Sequence, residues 1–270
     1  MTPRPVGGSR GVFLVGWLVG SLLIGFILAP LIGLAATQSP GVLLAVAAMP
    51  DVREAIGVSL VAALFAAVLA SAAGVPLAYV LARGGFRGQS ALAALIDLPL
   101  AVPHTVAGIA LLLVFGRRGM LGGPAEQLFG LRFWGSFAGV VVGMLFVSAP
   151  YTVNAARLGF EAVDPRLEQV ARTLGVGPWR ALATVTLPLA WRSVVIGMTL
   201  TFARAISEFA AVAILAYYPM SAPVKIYELF LQQGLGQSAA AALLLLVVSL
   251  ALFLVFRLVA QGRVAAGIGR

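Results

Sequence analysis

The sequence predicts an all-α, polytopic membrane protein with six transmembrane helices, and two observations carry that expectation. Of 270 residues, 61% are hydrophobic and only 10% charged, whereas soluble domains are about 45–50% apolar and about 25% charged. The apolar residues also gather into six runs, at about 11–36, 55–82, 90–116, 133–156, 193–217 and 236–256. Each is long enough to cross roughly 30 Å of hydrocarbon as a helix, which bonds its own backbone where no water can.

The first run follows Arg4 and Arg10 and ends near Ala35-Ala36, a plausible cleavage site. Its apolar stretch exceeds the 7–15 residues or so of a signal peptide, so it reads as a span. The third run contains Asp97, Pro99, Pro103 and His104, and the fifth is interrupted only by Arg204 and Glu208. No internal repeat or second domain is evident, and one transmembrane domain is expected over 1–270.

Orientation follows from the cations, because basic loops remain in the cytoplasm. With both termini inside, internal segments hold Arg4, Arg10, Arg83, Arg87, Arg157, Arg166, Arg172, Arg180, Arg192, Arg257, Arg263 and Arg270. External segments hold only Arg53, Arg117, Arg118, Arg132 and Lys225. A multi-pass protein of the cell membrane with cytoplasmic ends is therefore expected. The net charge of +9 does not imply nucleic acid, since the arginines lie between apolar runs instead of forming a basic face.

Residues 157–192, between the fourth and fifth runs, are long, mixed in charge and organised. Asp164-Pro165 is a helix start, with a carboxylate cap and a proline at the first position. Leu167, Val170, Ala171 and Leu174 then recur at helical spacing as one apolar stripe. Gly175 suits a left-handed helix end, and Gly177-Pro178 begins a second helix whose Trp179, Leu182, Ala183 and Thr186 repeat the spacing. Leu187-Pro188 is expected to stop it. Two short amphipathic helices at a sharp angle would form a knob that fits a partner's groove, or else a helix pair lying on the lipid surface.

The stretch Glu168-Gln169-Val170-Ala171-Arg172-Thr173-Leu174-Gly175, followed after nine residues by Val185-Thr186-Leu187-Pro188, resembles the EAA loop of type I ABC importer permeases. Gln169 and Val170 depart from the usual Glu-Ala, and Val185 replaces Ile; Ala171, Gly175, Leu187 and Pro188 match in spacing. The resemblance covers about residues 55–260. It implies a permease fold with no ATPase site of its own, working as a homodimer. Its implied partners are two ABC ATPase subunits, which bind ATP and magnesium, and an extracytoplasmic binding protein. It also implies that Glu168, Gln169, Val170, Ala171, Gly175, Pro178, Leu187 and Pro188 couple the loop to an ATPase. Leu98–Gly108 is similar to a proline-rich segment of permeases for molybdate, tungstate and sulfate, and Arg204–Phe209 and Ala222–Tyr227 to segments of the molybdate and tungstate branch in particular, with sulfate or another small solute as the neighbouring possibility.

Polar groups inside a span are costly and mark candidate function. Pro99 and Pro103 disrupt helical bonding, so the third span is expected to kink or unwind near His104, placing Pro103, His104 and Thr105 near a path. His104 either lines that path as a donor or is a bonded packing residue. Arg204 and Glu208, four residues apart, can pair on one helix face; alternatively Arg204 and Ser207 offer donors to a passing oxyanion. Arg117, Arg118 and Lys225 either meet a dianion or its carrier, or are solvated. Gly16 with Gly20 and Gly139 with Gly143 would permit close helix contacts.

Catalysis within the chain finds no support. The single lysine, Lys225, is not in a phosphate-binding loop, one histidine cannot make a zinc helix, and there is no cysteine. Gly7-Gly8-Ser9-Arg10-Gly11 fits a nucleophile elbow only formally, with no strand before it. A rival of another class, an ion-coupled transporter relaying through Arg204, Glu208 and His104, leaves the organised loop without a role.

Overall fold

The computed structural model describes residues 10–262, with side chains described for 11–255. Arg4, Arg263, Arg270 and the formal elbow residues Gly7 to Ser9 lie outside the described residues, as do the side chains of Arg10 and Arg257. Every regular element among the described residues is helical.

In chain order these are α1 (Arg10–Ala36), α2 (Pro40–Ala48), α3 (Pro50–Arg83), α4 (Gln89–Ala101), α5 (His104–Phe115), α6 (Gly122–Phe129) and α7 (Phe137–Glu161). Then follow α8 (Pro165–Thr173), α9 (Pro178–Ala181), a π-helical turn (Leu182–Thr186), α10 (Leu187–Ile206), α11 (Ala210–Leu215), α12 (Ala222–Gln233) and α13 (Leu235–Gly262). Long enough and apolar enough to span are α1, α3, α7, α13 and the continuous stretch Pro178–Ile206. A sixth span is possible only as the bent pair α4 and α5.

The bundle is built on α3, α7 and α10, and small residues explain why. Lipid tails are as apolar as leucine, so helices in a membrane associate by close packing, not by escape from water. Along α3 the residues Ala55, Ser59, Ala62, Ala63, Ala66, Ala67, Ala70, Gly74 and Ala78 are all buried, a stripe at helical spacing against which α7 lies. α10 approaches α7 equally closely: a Cβ on Gly197 would stand 3.0 Å from Thr152 Cα and 2.9 Å from Ala155 Cβ. In that seam Thr152 and Thr201 share a buried hydroxyl hydrogen bond of 2.7 Å. Gly139 and Gly143 let α7 meet Ala216 and Val212, whereas Gly16 and Gly20 have nothing nearby. The expected contact at that first pair is not made among the described residues, because no described side chain of α1 is buried.

Two expectations need correction, and one is met: the third span breaks near His104, where α4 and α5 meet at 109°. Pro103 cannot donate to the turn before it, so two limbs of 13 and 12 residues form, each too short to cross alone. The second helix of the loop does not stop at Leu187-Pro188. A proline ring clashes with the carbonyl four residues back, but here the Leu187 N–H bonds to the Leu182 carbonyl, five residues back, and this wider turn carries the helix past Pro188. The fifth span, conversely, does not run unbroken to 217: its helix ends at Ile206 and restarts at Ala210.

Replacing Gly197 by Val should therefore lower stability by about 1–3 kcal/mol, the usual cost of overpacking. Gly57→Ala, where nothing lies within 4 Å, should be neutral or slightly stabilising. Thermal unfolding of the two purified variants checks the contrast.

Candidate functional site

Both helix breaks in the membrane region come together. His104 opens α5 directly after the 109° bend, and Glu208 lies in the gap between α10 and α11. Glu208 is 2% exposed, and its carboxylate is fully engaged. His104 Nδ1 and Arg204 Nη2 each lie 2.9 Å from Oε2, and the Ala211 N–H donates to Oε1 at 2.9 Å. Arg204 Nη2 also lies 2.9 Å from each ring nitrogen, Nδ1 and Nε2. A ring with its proton on Nδ1 satisfies this triangle: it donates to Glu208 and accepts from Arg204. Glu208 thus anchors both broken ends, bonding the first turn of α11 and the residue that starts α5.

Arg204 and Glu208 do pair, but not on a shared helix face, because the helix ends between them. Arg204 Nη1 points to the open side, 3.3 Å from Ser207 Oγ, and the Ser207 hydroxyl donates to the Arg204 carbonyl at 2.9 Å. Side-chain exposure rises from Glu208 through Arg204 at 22% to His104 at 41%, so the network turns two nitrogen-bearing side chains toward open space. Pro103, Thr105 and Ser207 are exposed beside it. Asp97, further back on α4, accepts from Asn154 Nδ2 of α7 at 2.6 Å, an interhelical bond. Lys225 is not free to meet an anion: Asp51 and Glu228 hold it, the latter at 2.7 Å. Burial pushes its ammonium pKa down, but those two hydrogen bonds outweigh it, and the net direction is up.

The second group of residues forms a knob. Asp164 caps α8 by accepting from the Arg166 N–H at 2.9 Å. Gly175 turns the chain at φ +83°, and its Cβ position is open. Leu167, Gln169, Val170, Leu174, Pro178, Trp179 and Pro188 are exposed and Ala171 half-buried, so most of the apolar stripe of α8 is left open. The second predicted stripe divides: Trp179 and Ala183 face outward, while Leu182 and Thr186 are buried.

Glu168 departs most from its expected role. It is 8% exposed in a helix whose neighbours are open, and three donors converge on it. Tyr79 Oη reaches Oε2 at 2.7 Å, Arg83 Nε reaches Oε1 at 2.9 Å, and Thr186 Oγ1 reaches Oε1 at 2.6 Å. Burial pushes its pKa up, but the bonds from Thr186, Tyr79 and Arg83 together overcome this and hold it below 4.5. Its stabilising contribution is thus complete above the ordinary glutamate range and is lost only as pH falls through the depressed value. Sequence reasoning missed Tyr79 and Arg83, which lie 89 and 85 residues away; no local signal ties them to Glu168.

Residues 74–264 match the family described as binding-protein-dependent transport system inner membrane component. The chain belongs to that family. It is a transport component, and ATP is hydrolysed by its partner subunits. This permease is 44% identical over 241 residues to the molybdate/tungstate transport system permease protein WtpB of Thermococcus kodakarensis, covering 88% of this chain and 92% of that one. It is 39% identical over 183 residues to the molybdenum transport system permease protein ModB of Escherichia coli K12, covering 66% and 80% respectively. In fold it is similar to a subunit of a bacterial ABC transporter involved in alginate import, with a TM-score of 0.73 at 16% identity over 93% of this chain and 96% of that one. A second likeness is to the MetNI methionine transporter in an inward-facing conformation, at TM-score 0.56 and 17% identity, covering 82% and 95%. The type I ABC importer permease fold is therefore shown.

Glu208→Gln removes a charge to which three donors bond, and should lower the stability of this permease by about 1–3 kcal/mol. Ser207→Ala, at an exposed position, should stay within about 0.5 kcal/mol. Thermal melts of the detergent-purified protein separate the two.

Proposed function

We propose that this permease imports a tetrahedral oxyanion, molybdate or tungstate, as a homodimer whose two copies line one conduit. An extracytoplasmic binding protein delivers the anion, and two ATPase subunits, which carry ATP and magnesium, grip the two knobs on the cytoplasmic side, where both termini also lie. The observation that carries the coupling part is the α8–α9 knob, whose apolar stripe is exposed while its one buried carboxylate is tied to the bundle. The cargo rests on likeness to WtpB across most of both chains. The homodimer rests on the family likeness; α1, an apolar helix of 27 residues with none of its described side chains buried, is left to meet lipid or a second copy.

The junction suits such a cargo. An oxyanion has only acceptors, and the remaining N–H groups of Arg204 and the hydroxyl of Thr105 present donors on the open side, beside His104 and Ser207, of a network whose negative charge, Glu208, is held behind them. Pro103 fixes the turn that exposes them. Import then proceeds by alternating access: ATP binding has to favour one packing of the bundle, since a ligand shifts an equilibrium only by its differential affinity for the two states.

The decisive experiment is reconstitution of the permease with its ATPase and binding protein in liposomes. Uptake of labelled molybdate should require ATP, should be competed by tungstate, and should persist in excess sulfate. Equal competition by sulfate overturns the cargo, and uptake by the isolated chain under a proton gradient overturns the class of transporter. In the same system Gly175→Val, which forces a branched side chain into a left-handed turn, should leave hydrolysis running while uptake falls severalfold. Gly175→Asn, which tolerates that conformation, should retain most uptake.

A further inference from the structure

α3 is bonded to the rest of the chain at both ends. At one end, Arg83 in its last turn reaches Glu168 Oε1 at 2.9 Å and the Val163 carbonyl at 2.8 Å. Tyr79, one turn earlier, is held edge-on by the Phe160 ring at 5.9 Å and donates to Glu168 Oε2. Thr186, in the π-helical turn that opens into α10, donates to the same carboxylate. One side chain therefore joins α8, the end of α3 and the start of α10. At the opposite end, Lys225 of α12 bridges to Asp51 in the first turn of α3, and the Ala222 N–H donates to buried Ser59 Oγ at 2.7 Å. Between these ends α3 is one unbroken helix of 34 residues, about 50 Å long, packed against α7 and α10.

The geometry points to Glu168 as a positioning residue that fastens the knob to α3 and α10, so that moving the knob moves both helices; it is not a residue that meets the ATPase. Its carboxylate faces into the chain, and no oxygen is left without a donor. To reach a partner it would have to leave three hydrogen bonds, one of them from a guanidinium, whereas Leu167, Val170, Leu174 and Trp179 are already open at 46%, 59%, 79% and 66%. Without the tether, α8 would lose its polar attachment to α3 and α10 and keep only its covalent joints and its packing on α9 and the π-helical turn, and a push on the knob would bend those joints first. This inference rests on the reading of the knob as the part an ATPase grips.

The test is a ratio, oxyanion taken up per ATP hydrolysed, in the reconstituted complex of permease, ATPase and binding protein. In Glu168→Ala and Glu168→Gln the ATPase should co-purify as in the wild type and hydrolysis should continue, while the ratio falls about fivefold or more, the low end of ordinary coupling energies. Tyr79→Phe, a milder change that leaves Arg83 in place, should lower it in the same direction by less. Because the chain has no cysteine, a paired Arg83→Cys and Glu168→Cys variant can be bridged by a short bifunctional thiol reagent; the ratio should be low before bridging and recover after it. Three results overturn the inference: loss of the ATPase from Glu168→Ala, which makes Glu168 a partner contact; an unchanged ratio in all variants; or no recovery on bridging. A wild-type chain that binds no ATPase removes the gripped-knob reading itself, and is recognised before any variant is made.

Discussion

Close contact between α3, α7 and α10 is the constraint on which the rest of this permease depends. In hydrocarbon the apolar faces of these helices gain nothing by leaving lipid for one another, so association rests on dispersion over short distances and on the few polar groups that pair. The alanine stripe of α3 and the glycines of α7 and α10 bring backbones near enough for that dispersion to accumulate. Once they are near, Thr152 and Thr201 find each other, and the Thr201 hydroxyl can reach the Ser148 carbonyl at 3.1 Å. Larger residues at these positions would separate the helices and remove both terms together.

With three long helices locked, the remaining elements are free to be irregular. α5 and α11 are too short to span, and each begins just after a break in the backbone. A break at membrane depth leaves N–H groups without partners unless protein supplies them. Glu208 supplies one, and by bonding His104 it also fixes where α5 begins. The same carboxylate that repairs the backbone thereby sets the positions of Arg204 and His104. Its cost of burial is offset locally, by Arg204, by the histidine ring and by an amide, and not by a distant field.

How much of this was legible in the sequence varied with how local its cause is. The spans and the knob were legible because continuous apolar runs, an Asp-Pro start and a glycine turn act within a few residues. The bend at Pro103 was legible as a disruption, but its angle is set by packing of α5 on α11, which sequence spacing does not encode. The break after Ile206 was not legible at all: Ala205-Ile206-Ser207-Glu208 contains no proline or glycine, and the helix yields there because Glu208 is captured by a histidine 104 residues from the N-terminus. The alanine stripe was hidden for another reason. Every face of a membrane helix is apolar, so the contrast that marks a buried face in a soluble protein is missing, and only side-chain size distinguishes it. Ala171, Gly175, Leu187 and Pro188 matched a family motif at its spacing, which identified the segment correctly but not the direction in which the carboxylate of neighbouring Glu168 points.

Pro188 carries a final consequence. Read locally, Leu187-Pro188 ends one helix before another begins, which would place a joint between the knob and the membrane. The π-helical turn removes that joint. From Pro178 to Ile206 the chain is one helical stretch of 29 residues, about 43 Å long, with Thr186 near one end bonded to Glu168 and Arg204 near the other bonded to Glu208. The knob and the membrane junction are thus attached to the same rod, while His104, the third member of the junction, belongs to α5 and is carried separately. A displacement of the rod along or about its axis shifts Arg204 relative to His104 while the knob stays fastened to its other end. A flexible joint at Pro188 would let the knob move and leave Arg204 where it was. Continuity through that proline is therefore what allows a force applied at one end of the molecule to alter a polar contact inside the membrane.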